Sequence, residues 1–153
     1  MKLFLSQSTL LIAGTFILLT FSSFQTNRQK LFSLTVETNN LRNNEGTVVF
    51  ALYNREDAFP DEHYKKYFKK LIGKIENHSA RVTFKDLPAG KYAIDILHDE
   101  DNDGKIKMGF LLPKEGIGFS NYQSIGIGNR PNFKKASFIL QDDLKINVKA
   151  IYF

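Results

Sequence analysis

The sequence predicts an all-β fold, a sandwich of about seven antiparallel strands with one short helix. Three observations carry this. Apolar and polar residues alternate with period two in several short runs. Pro, Gly, Asn and Asp punctuate those runs as turn signals, and aromatic and β-branched residues outweigh Ala and Leu in the second half of the chain.

Phe32, Leu34 and Val36 alternate with Ser33, Thr35 and Glu37, and Asn39-Asn40 ends this first strand. Gly46 opens a second, Thr47 to Tyr53, whose nearly continuous apolar run predicts a central position. Ala80, Val82 and Phe84 share one face of a third. Asp86-Leu87-Pro88-Ala89-Gly90 supplies the dihedrals of a tight reversal. Tyr92, Ile94 and Ile96 then oppose Ala93, Asp95 and Leu97 on a fourth strand. Ala136–Leu140 and Leu144–Phe153 form two more, joined by Gln141-Asp142-Asp143 as a hairpin turn.

Residues 59–75 support two readings. Tyr64, Tyr67, Phe68, Leu71 and Ile72 fall at helical spacing, with Pro60 in the first turn, acids at the start, lysines at the end and Gly73 as terminator. On that reading the helix caps the sandwich, its tyrosines buried and its lysines solvated. In the other reading the helix shortens to Asp61–Phe68, and Lys69–Ile75 is a strand paired with Arg81–Phe84 through Asn77-His78. As a basic amphipathic stretch it would also suit a membrane surface.

Lys2, the apolar run Leu10–Phe21, and Ser22-Ser23 make a signal-peptide pattern over residues 1–23. Cleavage near Ser22–Phe24 would leave no stable membrane span. The stretch from Leu3 to Phe24 nearly reaches spanning length, so an uncleaved anchor is the alternative. Either way the chain is expected to be exported, to the periplasm, cell envelope or medium. Residues 30–153 then form one domain, and the full chain's 42% of apolar residues is ample for one core. The chain has no cysteine, which excludes disulfides, thiolate zinc sites and cysteine nucleophiles. A formal charge of +5 favours weak attraction to anionic surfaces. Without a nucleic-acid reading module, no nucleic-acid partner is expected.

His98-Asp99-Glu100-Asp101-Asn102-Asp103-Gly104-Lys105-Ile106 is the segment richest in chemistry. Carboxylates at Asp99, Asp101 and Asp103, with the Lys105 carbonyl, can converge on Ca²⁺ as in the first half of an EF-hand loop. Phe110 stands where the closing bidentate Glu would be, so the second half is missing; Glu115 could approach from further along. An exposed turn built from Asp, Asn and Gly is the competing reading. From Gly109 to Pro131 strand periodicity is lost. Gly118, Phe119, Ser120 and Asn121, with His98 and Glu115, are candidates for binding a small ligand; the competing role is a loop covering a sheet edge.

Several motifs in order carry a resemblance. They are Leu87-Pro88-Ala89-Gly90-Lys91-Tyr92-Ala93, His98-Asp99-Glu100-Asp101, Gly109-Phe110, Pro113-Lys114-Glu115-Gly116, Gly118-Phe119-Ser120-Asn121, Pro131-Asn132-Phe133 and Ala136-Ser137-Phe138. Together they resemble an uncharacterised exported bacterial family, domain of unknown function 2141, over roughly Leu31 to Phe153. Asp101-Asn102-Asp103 departs from the family's more common Asn-Gly-Asn and makes the loop more acidic. Lys107 replaces a usual acid and weakens the far side of a cation site. The Leu-Pro-x-Gly-x-Tyr turn is also similar to that of prealbumin-like and carboxypeptidase-regulatory-like sandwiches, which implies an Ig-like or prealbumin-like fold and an accessory or binding role.

The expectation is a non-catalytic module, calcium-stabilised and binding a small ligand, a saccharide or an envelope protein. The alternative is a hydrolase using His98 with nearby carboxylates and Ser120 as nucleophile, which requires those groups within hydrogen-bond reach of one another.

Overall fold

The computed structural model describes residues 29–153 apart from 111, so the leader lies outside the described residues. The fold is all-β, with strands β1 (Leu31–Thr38), β2 (Thr47–Tyr53), β3 (Lys69–Glu76), β4 (Ser79–Pro88), β5 (Gly90–Asp99), β6 (Gly116–Phe119), β7 (Phe138–Leu140) and β8 (Leu144–Asn147). Besides these, the described residues form one 3₁₀ turn, Glu56–Ala58, and one helical turn, α1 (Phe133–Ala136).

The strands run in one continuous path, β6-β5-β2-β3-β4-β1-β8, with β7 added to β5. The all-β expectation holds, and the two expected sheets are joined in one path through the β3–β4 hairpin. β3 pairs with β2 over six positions but with β4 only at Ile75–Ala80 and Glu76–Ser79. Its tip, Asn77-His78, has both residues in the left-handed region, as a two-residue hairpin matching strand twist requires. The antiparallel expectation fails at one place, since β8 runs parallel to β1 from Leu144 to Asn147. Past β8 the chain continues along β1, where the Val148 amide donates to the Glu37 carbonyl. Ile151 then exchanges both backbone hydrogen bonds with Ile117 of β6, at 2.8 and 3.1 Å. The C-terminal chain thus links the two ends of the path.

Alternation explains the first core. Leu34 and Val36 of β1, Phe50 and Leu52 of β2, Phe84 and Leu87 of β4, and Ile94 and Ile96 of β5 are all buried in one cluster between the facing limbs. Burying each such side chain contributes about 1.5–3 kcal/mol. The opposite face of β2 and β5 is buried too, which is why Thr47–Tyr53 reads as a continuous apolar run. There Val49, Ala51, Tyr53, Ala93 and Leu97 pack beneath Phe59, Tyr64, Phe119, Tyr122 and Phe133. Phe59 sits at the centre of this layer, with its ring edge-on to Tyr53, Phe119 and Phe133 at 5.3, 5.6 and 6.1 Å.

Three expectations are corrected. Residues 59–75 form no α-helix, since Asp61–Phe68 is turn structure; the strand of the second reading does form, as β3, and turns through Asn77-His78, but it meets β4 at Ser79 and Ala80 rather than at Arg81–Phe84. Gln141–Asp143 is no hairpin turn, because β7 joins β5 while β8 joins β1. The last strand ends at Asn147 rather than Phe153, and Ala136 belongs to α1 rather than to β7.

Candidate functional site

The predicted residues group at two places along β5. At its C-terminal end, His98 is fully buried and held on both ring nitrogens. The Glu45 carbonyl, 3.0 Å from Nε2, can only accept, so Nε2 carries a proton; Nδ1 is hydrogen-bonded to the Tyr152 hydroxyl at 2.7 Å. The backbone amide of Arg42 donates in turn to that hydroxyl at 3.3 Å. Phe in place of Tyr152 should leave Nδ1 buried without this partner and cost about 1–3 kcal/mol. A urea midpoint unchanged by Tyr152→Phe would show that the His98 ring does not depend on this bond.

The acidic loop springs from this base. Gly46 faces its start in the left-handed region, and an added Cβ there would lie 1.9 Å from the Asp99 carbonyl oxygen, so only glycine fits. The Glu100 carboxylate is gripped by the Arg42 guanidinium through two hydrogen bonds and by Asn43 Nδ2 at 2.8 Å. Arg42, then Asn43, hold its pKa below the ordinary value against the opposing effect of partial burial. The Arg42 guanidinium also lies over the Tyr152 ring, 4.8 Å from its centroid.

Asp99, Asp101 and Asp103 do converge, each offering a carboxylate oxygen within 4.8 Å of the others. Asp99 is buried and accepts from the amides of Asp103 and Gly104 at 3.1 and 2.9 Å, while Asp101 and Asp103 are exposed. Asp103 accepts from the Lys105 amide at 2.8 Å, and Asp101 pairs with Lys107 Nζ at 2.6 Å. Lys107 thus neutralises one member of the cluster. Hydrogen bonding by Lys107 lowers the Asp101 pKa and raises that of the lysine. Glu115 is not a fourth member. It is buried and bridges the loop, accepting from the Glu100 amide at 3.1 Å and the Lys107 amide at 2.8 Å.

Gly118, Phe119, Ser120 and Asn121 lie at the other place, and packing and backbone bonds occupy them. Gly118 and Phe119 belong to β6, a strand that sequence periodicity missed. Phe119 is part of the second core. Ser120 Oγ accepts from the Ile94 amide at 2.9 Å and donates to the Ala136 carbonyl at 2.7 Å, tying β5 to α1. Asn121 Nδ2 lies 3.1–3.2 Å from the carbonyls of Lys135, Ala136 and Ser137, where it satisfies the helix end. Phe119 and Tyr122 of this segment pack over Val49, Ala51 and Leu97 in the second core.

His98 and Ser120 do not meet. His98 is level with Gly116 on β6 and Ser120 with Ile94 on β5, a separation of four strand positions or about 13 Å. The serine–histidine couple that a hydrolase would require is not assembled from these two residues.

Two features escaped the sequence. One is a buried polar cluster on the second-core face, where the Tyr64 hydroxyl is 2.8 Å from Asp95 Oδ1 and the Tyr53 hydroxyl is 3.4 Å from Asp61 Oδ2. Apolar residues flanking Asp95 on its own face, Ala93 and Leu97, were the signal for it. The other is an open cleft of about 560 Å³ where β3 parts from β4, lined in part by Glu37, Ile72, Lys74, Glu76 and Arg81. None of the predicted site residues lines it.

A family model described as an uncharacterized protein conserved in bacteria (DUF2141) matches residues 36–147. No curated protein and no solved structure matches the chain.

Proposed function

We propose that this chain, which belongs to the DUF2141 family of uncharacterized bacterial proteins, is an exported, non-catalytic binding module whose acidic loop takes a calcium ion. The observation that carries the calcium reading is the convergence of Asp99, Asp101 and Asp103 within 4.8 Å. An all-oxygen set suits a hard cation rather than a transition metal. The base of the loop is already stiff, since Glu115, Arg42 and His98 fix its two ends. An ion entering there would displace Lys107 from Asp101 and relieve the repulsion among three carboxylates. On this reading the ion rigidifies one end of the domain, and the surface around it receives a saccharide or an envelope protein.

Thermal unfolding with calcium and with chelator tests the claim. At 100 times the dissociation constant, binding adds about 2.7 kcal/mol to the folded state and raises the midpoint by several degrees. Asp101→Asn should abolish that increment while leaving the midpoint in chelator nearly unchanged, because its ion pair with Lys107 is exposed. A midpoint indifferent to calcium in the unaltered protein removes the metal from the reading.

A further inference from the structure

We propose that the lysine-rich face formed by the turn before β3 and by β3 itself seats the protein on an anionic phospholipid surface. The failure of the expected helix creates this face. In a helix, Tyr64, Tyr67, Phe68, Leu71 and Ile72 would share one buried stripe. In the structure Tyr64 alone turns inward, at a left-handed backbone position, and bonds to Asp95. The Asp61 carboxylate collects the amides of Lys65 and Lys66, each at 2.6 Å, and the tight turn this fixes carries the following residues outward. Tyr67 and Phe68 are left 38% and 40% exposed and Ile72 64% exposed.

Strand register places the remaining residues. Lys70, Ile72 and Lys74 pair with Ala51, Val49 and Thr47, so the three project in a row from one face of the sheet. That face is buried at Val49 and Ala51 on the neighbouring strand, yet open at Ile72. An apolar side chain therefore stands between two ammonium groups, with the Tyr67 ring 5.1 Å from Lys70 Nζ.

Charge identifies the occupant. Between His63 and Ile75 the chain carries Lys65, Lys66, Lys69, Lys70 and Lys74 and no acid. Among the described residues none of these five is in an ion pair; Lys69, which pairs with Leu52 and so projects from the opposite face, donates to the Lys85 carbonyl at 2.7 Å, and the other four remain for this surface. Free lysines attract any polyanion, but exposed Ile72 and Tyr67 gain nothing from a hydrated one. A bilayer interface with acidic headgroups takes both, lipid phosphates meeting the lysines and the apolar side chains entering the headgroup boundary. The patch around Phe110, which is 99% exposed, is a poorer candidate, because Leu112, Pro113, Lys114 and Phe153 beside it include a single lysine.

The test is co-sedimentation of the mature chain with phosphatidylglycerol-containing vesicles in chelator, so that its outcome is separate from that of the calcium reading. We expect binding that high salt weakens and that pure phosphatidylcholine vesicles do not show. The double variant Lys70→Gln/Lys74→Gln should bind about 25-fold more weakly, at roughly fivefold per lysine. Ile72→Ser should lose about tenfold or more. Phe110→Ser should bind as the unaltered protein does. All these positions are exposed, and unchanged unfolding midpoints confirm intact folding. No binding to the acidic vesicles overturns the proposal, as does loss of binding on Phe110→Ser. Full retention by Ile72→Ser together with equal capture by dextran sulfate also overturns it, and would mark a site for soluble polyanions.

Discussion

Replacing Asp95 by Asn should make the protein progressively more stable than the unaltered chain as pH rises, with little difference near pH 4. Asp95 lies on β5 between Ala93 and Leu97, inside the second core, with the Tyr64 hydroxyl 2.8 Å from Oδ1. Burial pushes its pKa well above the ordinary 3.8, and the Asp61 charge adds to this; the bond from Tyr64 opposes them without prevailing. The unfolded chain releases this proton near pH 3.8, whereas the folded chain keeps it. Stability from this group is therefore complete below the unfolded value and declines with rising pH until the folded value is reached. Each pH unit in that interval costs about 1.4 kcal/mol. Asn has similar shape, bears no charge and removes the decline. The depressed pKa values of Glu37 and Glu100 act in the other direction at low pH, but both proteins share them, so they cancel in the difference. Urea midpoints of the pair across pH measure the effect directly; parallel curves would mean that Asp95 is ionised in the folded chain. Tyr64→Phe provides an independent check, since it strips the carboxyl of that hydrogen bond and should cost about 1–3 kcal/mol at any pH.

The elements that the sequence revealed are those whose pattern is local. β1, β2 and β5 were legible because alternating or continuous apolar runs report burial on one face or both. β3 was ambiguous because Tyr64, Tyr67, Phe68, Leu71 and Ile72 fit helical spacing. The deciding interaction is pairing with β2, and nothing in residues 59–75 encodes that partner. β6 was invisible for a different reason. Gly-Ile-Gly-Phe has no polar alternation, since its glycines make room for Tyr152 and for the Lys149 backbone. The β7–β8 turn looked like a hairpin because Gln141-Asp142-Asp143 has hairpin chemistry, but the two strands are claimed by β5 and β1. In the acidic loop the three carboxylates announced themselves by spacing. The groups that fix its base, Arg42, Glu45 and Tyr152, lie more than fifty residues away in sequence from the residues they hold, beyond any local pattern.

Gly118→Ala should destabilise the protein by about 3 kcal/mol or more, the largest effect expected of any one-methyl change at the β6 edge. A Cβ at Gly118 would lie 2.2 Å from the Lys149 carbonyl oxygen, 3.0 Å from its carbon and 3.0 Å from Ile96 Cγ1. The obstacle is backbone and cannot rotate aside. Nor can Lys149 retreat, because the neighbouring amides on either side of it are held: Val148 donates to Glu37 on β1, and Ile151 exchanges two bonds with Ile117 on β6. The methyl must therefore part β6 from the C-terminal chain. That adds the loss of two backbone hydrogen bonds, each about 0.5–1.5 kcal/mol, to an overpacking cost of about 1–3 kcal/mol. Amide exchange gives the location as well as the size of the damage, with Ile117 and Ile151 losing protection before residues of β2 do. Gly128→Ala serves as reference, since a Cβ there meets nothing within 4 Å and should shift stability by no more than about 0.5 kcal/mol. Equal midpoints for the two alanine variants would mean that the C-terminal chain does not bind β6, and the strand path would then be open at that end.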